Sequence, residues 1–316
     1  MVRTVVECSK IHGRKVEMVE GSFRIADNYK NFSLVGRGHV PAFLYSGKIL
    51  VMFDPGVSAF GPLYYRKLLP MVHERSHQLL ILLTHSHFDH CGAASYLLKK
   101  FPKAKVGASM RAAEVLQKPN AIALIRRFNA EYEERMADEL KGEDTVFSEI
   151  AVDLQFKEGD AVEVGDGIRF QVLETPGHTR DCVSYFDPDS GVLVAGEAAG
   201  VPEGDFIHSV FLSSYEEYVN SIAKLHTLNA EALCIAHVGI ITGGKEISEY
   251  LEGSLTAARE YRAKIERYLE EFNGDRDKVV NAIVAEEYDS QSQHIVNRNP
   301  FIMNLQAKVN AIEKLS

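Results

Sequence analysis

Thr84-His85-Ser86-His87-Phe88-Asp89-His90 follows directly on Leu79-Leu80-Ile81-Leu82-Leu83. The apolar run has no polar alternation, as expected of a strand covered on both faces. The segment that ends it places three imidazoles and a carboxylate in six consecutive positions. Alternate residues of an extended turn point the same way, so His85 and His87 can grip one cation, whereas Asp89 and His90 turn with the chain toward a second. The plain alternative is a solvated histidine-rich turn. Three later places weigh against it: Thr175-Pro176-Gly177-His178-Thr179 after a strand read at 168–173, Gly196-Glu197 after 192–195, and His237 after 233–236. One such histidine is ordinarily a hydrogen-bonded surface or core residue. Four strand-end sites in one chain support one another.

Around these sites the pattern alternates strands and helices. Residues 42–46 and 49–53 flank the turn Gly47-Lys48 and close at Asp54-Pro55-Gly56, the pattern of a hairpin. A helix is expected over 63–73, and another over 91–101, where Gly92, Ala93, Ala94 and Ser95 allow close approach to a sheet; a strand follows at 104–108. Residues 110–142 break the rhythm with apolar residues at helical spacing amid charges, read as an inserted helical pair over 110–117 and 121–140. Strands resume at 161–164, 168–173, 191–195 and 233–236, with a helix over 214–228 capped at Ser213 or Ser214. Past Gly243-Gly244 the pattern is helical, over 245–272, 276–288 and 301–315. This divides the chain into a main domain over 1–244 and a helical extension over 245–316 that would cover the strand-end face.

The 316 residues, 46% hydrophobic and 25% charged, exclude a disordered, fibrous or coiled-coil protein. A net charge of −9 disfavours a nucleic-acid or anionic-membrane surface. Cys8, Cys91, Cys182 and Cys234 are dispersed without CxxC spacing and read as reduced thiols. The first fifteen residues carry charges at Arg3, Glu7, Lys10, Arg14 and Lys15 and lack a secretory apolar run, and no apolar stretch reaches about 18 residues. The expected location is the cytoplasm. Expected partners are a small-molecule substrate, with no nucleic acid and no membrane, and with a homodimer left open.

Over residues 17–243 the sequence resembles the metallo-β-lactamase superfamily of dinuclear metallohydrolases, whose five motifs are all recognisable. The resemblance implies an α/β, four-layer αββα sandwich carrying the helical insertion and helical C-terminal extension. It also implies that His85, His87 and His178 hold one metal and Asp89, His90 and His237 the other, with the carboxylate of Glu197 bridging both. The family usually has Asp at that position; the extra methylene of Glu197 reaches further with less geometric definition. Within the superfamily the chain is most similar to the branch of quinolone-signal response thioesterases and glyoxalase II. The segments that carry this likeness are Val40-Pro41-Ala42-Phe43-Leu44, His87-Phe88-Asp89-His90-Cys91-Gly92, the insertion with Ile125-Arg126-Arg127-Phe128-Asn129, and the helical C-terminus.

Two divalent ions held together acidify a shared water and polarise a carbonyl. The His and carboxylate donors suit zinc, iron or manganese, with zinc or iron implied by the resemblance. Asp89 is the expected catalytic residue, orienting the attacking hydroxide and taking its proton. Thr84, Thr175, Thr179 and Asp181 are candidates for fixing the imidazole tautomers. A thiolate leaves without prior protonation, which favours a thioester or ester over an amide. Phe128, Tyr132, Phe206, His208 and Phe301 are candidates to line an acyl or aromatic pocket, with core packing the plain alternative. A small phosphodiesterase or lactonase on the same site, a diiron oxygen or nitric-oxide reductase, and a regulatory binding protein with a vestigial site are the rival readings.

Overall fold

The computed structural model describes residues 25–36, 38–40, 42–74, 78–203, 206–290 and 298–315. The expectations for the first fifteen residues, including Cys8, lie outside them. The first seven-stranded sheet runs almost in sequence order: β2 (Asn28–Tyr29), β3 (Phe32–Val35), β4 (Ala42–Ser46), β5 (Ile49–Phe53), β6 (Gln78–Leu82), β7 (Lys105–Ser109) and β8 (Leu154–Phe156). β1 (Ile25–Ala26) crosses to the second sheet. That sheet has the order β1-β16-β15-β12-β11-β10-β9, with β9 (Ala161–Gly165), β10 (Ile168–Glu174), β11 (Val183–Asp187), β12 (Val192–Gly196), β15 (Ala232–Ile235) and β16 (Gly239–Thr242). A separate hairpin, β13 (Val201–Glu203) with β14 (Phe206–His208), follows β12.

The expected hairpin forms, with Phe43 opposite Phe53 and Ser46 opposite Leu50. Alternation hidden in the apolar runs decides the layering. Phe43, Tyr45, Val51, Phe53, Leu80 and Leu82 point inward and meet Val164, Phe170, Val172, Tyr185, Val194 and Cys234 of the other sheet. Their strand neighbours Leu44, Leu50, Met52, Leu79 and Ile81 point outward, against helices. Because both faces are covered, the period of two never appears as polar residues. Phe170 meets Phe32, Tyr45 and Phe53 edge-on at centroid distances of 5.9, 5.4 and 5.3 Å, fastening the sheets together.

On the outer face of the first sheet lie α1 (Gly61–Glu74), α2 (Phe88–Cys91), α3 (Ala94–Lys100), α4 (Met110–Val115), α5 (Pro119–Arg135) and α6 (Ala137–Leu140). The helix expected over 91–101 forms as α3, and α2 is a separate single turn before it, with Gly92 between the two. A Cβ there would lie 2.6 Å from the Phe88 carbonyl oxygen and 2.7 Å from the Asn129 side-chain oxygen, so the missing side chain lets α5 press against the histidine loop. The inserted pair is three helices. On the other face lie α7 (Tyr215–His226), α8 (Gly244–Glu271), α9 (Arg276–Glu287) and α10 (Arg298–Glu313), which share one apolar cluster with the second sheet. Ser214 caps α7 by accepting from the Glu217 N–H. The result is the expected four layers, helix, sheet, sheet, helix. Among the described residues, no helix is long and apolar enough to cross a membrane.

Candidate metal centre

β5 and β6 are parallel neighbours, as are β12 and β15, so the segments that follow them emerge on one edge of the sandwich. Three ring or carboxylate groups come from these exits, His85 after β6, Glu197 after β12 and His237 after β15, and His178 follows β10. His87 stands in extended conformation just before α2, whose single turn presents Asp89 and His90. Gly196 at the end of β12 has φ +56°, and a Cβ there would lie 2.6 Å from Thr84 Oγ1; only glycine lets Glu197 turn in over the histidine loop. A register shift between Val194 and Gly196 contributes to the same turn.

The seven sequence-derived residues fall into two groups. His85, His87, His178 and Glu197 form one and Asp89, His90 and His237 the other, with donor atoms in each within 4.8 Å of one another. Glu197 faces both. Its Oε2 is 2.7 Å from His178 Nε2, 3.3 Å from His85 Nε2 and 3.6 Å from His90 Nε2, while its Oε1 is 3.4 Å from His237 Nε2. Asp89 Oδ2 lies 3.8 Å from His237 Nε2.

Outer contacts set the tautomers. His178 Nδ1–H donates to the Val210 carbonyl at 2.6 Å and His237 Nδ1–H to the His39 carbonyl at 2.6 Å. His90 Nδ1–H donates to Asp54 Oδ2 at 2.9 Å. Thr84 Oγ1–H is spent on Asp54 Oδ2 at 2.6 Å, so that hydroxyl oxygen accepts from His85 Nδ1–H at 3.1 Å. Four rings therefore carry hydrogen on the outer nitrogen and turn an Nε2 lone pair inward. His87 turns Nδ1 inward, 3.0 Å from His178 Nε2.

Acceptors thus converge on acceptors. His85 Nε2 and His90 Nε2 are buried without a hydrogen-bond partner. Such a set is unfavourable unless positive charge sits among it, and N/O donors of this kind are what a divalent ion requires. The protonation equilibria express the same demand. Burial, then the neighbouring imidazoles, hold His85 well below the usual histidine value, and burial with His178 takes His87 down to about 4. For His90 and His237 burial acts downward but is outweighed, by Asp54 and by Glu197 respectively, so both rise. Burial pushes Glu197 up, yet His178 and the other rings overcome it and hold the carboxyl well below its usual range. A cation among the donors would satisfy the inward lone pairs in place of a proton.

Of the four expected tautomer-fixing residues, only Thr84 touches an imidazole. Thr175 bonds to Ser184, Thr179 to Cys182, and Asp181 accepts the Ser86 N–H at 2.9 Å, which shapes the loop rather than a ring. The principal orienting group is Asp54, read from sequence only as part of a turn. It is buried, has φ +48°, and accepts from the Thr84 N–H at 2.7 Å, the Thr84 hydroxyl and His90. A carboxylate at a strand's end, level with the histidine loop on the neighbouring parallel strand, was the signal available. The carbonyls of Val210 and His39 carry no residue signature at all.

A cavity of about 1770 Å³ opens over the donors and is lined by α5, the β13–β14 hairpin, α8 and α10. Phe128, Tyr132, Phe206, His208 and Phe301 all line it. Phe128 also packs on Phe88 at 5.1 Å, and Phe301 on Tyr288 at 5.1 Å. Phe206 is 75% exposed at the cavity's edge. Asn129 ties the insertion to the histidine loop, accepting from the Ser58 N–H at 2.7 Å and donating to the Phe88 carbonyl at 3.3 Å.

Comparison with known proteins agrees with this architecture. The profile of the Metallo-beta-lactamase superfamily matches residues 35–237. The hydroxyacylglutathione hydrolase of Bradyrhizobium sp. (strain ORS 278) is 32% identical over 149 residues, 47% of this chain and 43% of that one. That of Rhodopseudomonas palustris (strain BisB5) is 34% identical over 149 residues with the same coverage. The chain therefore spans less than half the length of these curated relatives. Among solved structures, a beta-lactamase domain protein from Burkholderia ambifaria has a TM-score of 0.62 at 15% identity, covering 95% of this chain and 89% of that one. A metallo-beta-lactamase family protein from Thermus thermophilus has a TM-score of 0.58 at 20% identity, covering 90% and 92%. These two likenesses concern the fold.

Proposed function

The chain belongs to the metallo-beta-lactamase superfamily, and from that premise we propose that it is a metal-dependent hydrolase of a small thioester or ester. The observation that carries the reading is the convergence of seven acceptor side chains, two with orphaned buried nitrogens, at the floor of a large, largely apolar cavity. His85, His87, His178 and one oxygen of Glu197 would hold one ion; Asp89, His90, His237 and the other oxygen would hold the second. Two such ions, zinc, iron or manganese, supply a water acidified to near neutrality and a Lewis acid for the scissile carbonyl.

The remaining work falls to the chain's own groups. Asp54, Thr84 and the two carbonyls keep four Nε2 lone pairs aimed inward through turnover. Asp89 is half-buried at the cavity's edge, where its free oxygen can orient the attacking water and accept its proton. Phe128, Phe206 and Phe301 offer an apolar wall for an acyl or aromatic group and exclude water from it. A thiolate leaving group needs no general acid. The relatives named as hydroxyacylglutathione hydrolases support thioester chemistry, and three buried free cysteines suit a reducing cytoplasm.

The test is hydrolysis of a panel of acyl thioesters, lactones and bis-nitrophenyl phosphate before and after chelation, with His87→Ala beside the parent. Thioester turnover lost on chelation, restored by added metal and absent in His87→Ala is expected. Turnover confined to the phosphodiester would reassign the site to phosphoryl transfer, and thioester turnover surviving both treatments would remove the metal from the account.

A further inference from the structure

α5 gives the cavity one face of a helix, and that face changes character at the histidine loop. On its N-terminal side the lining residues are Ala121, Leu124, Ile125 and Phe128, spaced i, i+3, i+4 and i+7, and Val115 of α4 extends them. Past the loop the same face turns polar, with Glu131, Tyr132 and Arg135. The charged neighbours on the N-terminal side, Arg111, Glu114, Lys118, Arg126 and Arg127, are all exposed and stand outside the lining. An amphipathic helix ordinarily turns its apolar face to the core. Ile122 and Ile125 do so, while Leu124 is 43% exposed and Ala121 and Phe128 are half-buried against the cavity.

This strip is fixed in register with the metal donors. Phe128 packs at 5.1 Å on Phe88, which stands between His87 and Asp89, and Asn129 is bonded to the Ser58 N–H and the Phe88 carbonyl. Arg126 secures another side of α5 by donating to the Phe147 carbonyl at 2.7 Å. The wall from α8 and α10 offers no equivalent, because Glu260, Lys264 and Arg267 line it and an alkyl chain laid there would strip their water. At 1.5 Å rise per residue, Ala121 lies about 10 Å along α5 from Phe128, the span of roughly eight methylenes in an extended chain. We propose that the α4–α5 strip is the track of an unbranched acyl chain running from the metal donors toward Val115, and that it selects acyl groups of about eight carbons. The substrate class is then a medium-chain acyl thioester or ester, which rests on the hydrolase reading for turnover, though not for binding. The volume agrees: about 1770 Å³ exceeds the roughly 300–1,000 Å³ of an ordinary small-ligand pocket. Past Ala121 and Val115 the strip ends, so further methylenes meet water and gain nothing.

Straight-chain acyl thioesters of N-acetylcysteamine from acetyl to dodecanoyl, with the phenylacetyl thioester beside them, are assayed on the metal-loaded parent, Leu124→Glu, Ala121→Trp and Arg127→Glu. In parallel, calorimetry measures binding of the non-hydrolysable S-alkyl thioethers of N-acetylcysteamine. In the parent, kcat/KM and thioether affinity should rise about twofold to fourfold per methylene to near eight carbons and then level. Leu124→Glu should lower the octanoyl-to-acetyl ratio about tenfold or more, and Ala121→Trp should move the levelling point to shorter chains. Arg127→Glu, on the same helix but outside the lining, should keep the parental ratio. Chain-dependent thioether binding that Leu124→Glu loses, with no thioester turned over, would keep the strip and sink the hydrolase reading. Thioester turnover with no slope along the alkyl series would do the reverse. A fall common to all chain lengths in Leu124→Glu, or a phenylacetyl thioester preferred over octanoyl in the parent, would also overturn the proposal. Should Ala121→Trp fail to fold, Ala121→Leu takes its place under the same criteria.

Discussion

Asp54→Asn is a substitution that keeps the shape of a side chain while exchanging one acceptor oxygen, and the negative charge, for an NH₂ donor. In the parent the carboxylate accepts three hydrogen bonds, at 2.7 Å from the Thr84 N–H, 2.6 Å from the Thr84 hydroxyl and 2.9 Å from His90 Nδ1–H. An amide can keep its oxygen on the backbone N–H, and the threonine hydroxyl can rotate to accept. The contact with His90 cannot be kept as it is, because an amide NH₂ facing Nδ1 requires that nitrogen to become the acceptor. The ring hydrogen then moves to Nε2, the atom turned toward Glu197 at 3.6 Å, and the inward lone pair is lost. Orienting groups of this kind are worth about 10–100-fold in metal affinity, or about 1.4–2.7 kcal/mol. Under the proposed two-ion arrangement the loss should fall on the ion assigned to Asp89, His90 and His237 and spare the other. Competition against a chromophoric chelator, with metal stoichiometry of the dialysed protein, reads both quantities. Asp54→Ala adds a stability term: three donors are orphaned in a buried place at about 1–3 kcal/mol each, so roughly 3–6 kcal/mol after allowing for relaxation. Urea denaturation of the metal-free form isolates that term. An Asp54→Asn protein that binds two ions with parental affinity would refute the tautomer argument.

Other consequences are as direct. The folded chain lowers the Lys308 pKa to about 8 while the unfolded chain keeps the ordinary value near 10.5, so between those values the unfolded state holds the extra proton and stability rises with pH. Relative to Lys308→Met, the parent should gain up to about 3 kcal/mol between pH 7.5 and 10.5 in urea titrations, and parallel pH profiles would count against a desolvated ammonium. Gly177→Ala puts a Cβ 2.2 Å from Tyr218 Cα at φ +129°, directly before His178. It should cost about 2–5 kcal/mol and weaken the His178 metal, as thermal melts and metal content will register. Phe206→Ser at a 75% exposed site should leave stability within about 0.5 kcal/mol while raising KM for long acyl chains more than short ones. A chain-length series measures it; an unchanged KM across the series would take Phe206 out of the binding wall.

The sandwich and its metal-donor edge are written where one chain segment carries its own evidence. The apolar run of β6 and the histidines that end it are contiguous, as are β12 with Glu197 and β15 with His237. Elements whose character depends on distant partners are not. β11, Val183–Asp187, has a buried serine and aspartate, because Ser184 bonds to Thr175 and Asp187 holds the Ser190 hydroxyl, so it does not read as an apolar strand. The β13–β14 hairpin contains Pro202 and is half-exposed, and β8 is three residues long. Asp54 sits 36 positions from the ring it orients, and its role exists only once β5 and β6 lie side by side. Lys308 is one more surface-type residue in a helical sequence until α8 and α10 close its surroundings.

Whether the seven side chains bind metal is read from the metal stoichiometry of the purified, dialysed chain beside that of His178→Ala and His237→Ala. Two divalent ions per parent chain, falling to about one in each variant, is the outcome that seven converging acceptors demand. A parent that retains no transition metal after loading, with His85 and His90 still buried and unchanged in spectroscopic environment, would contradict it.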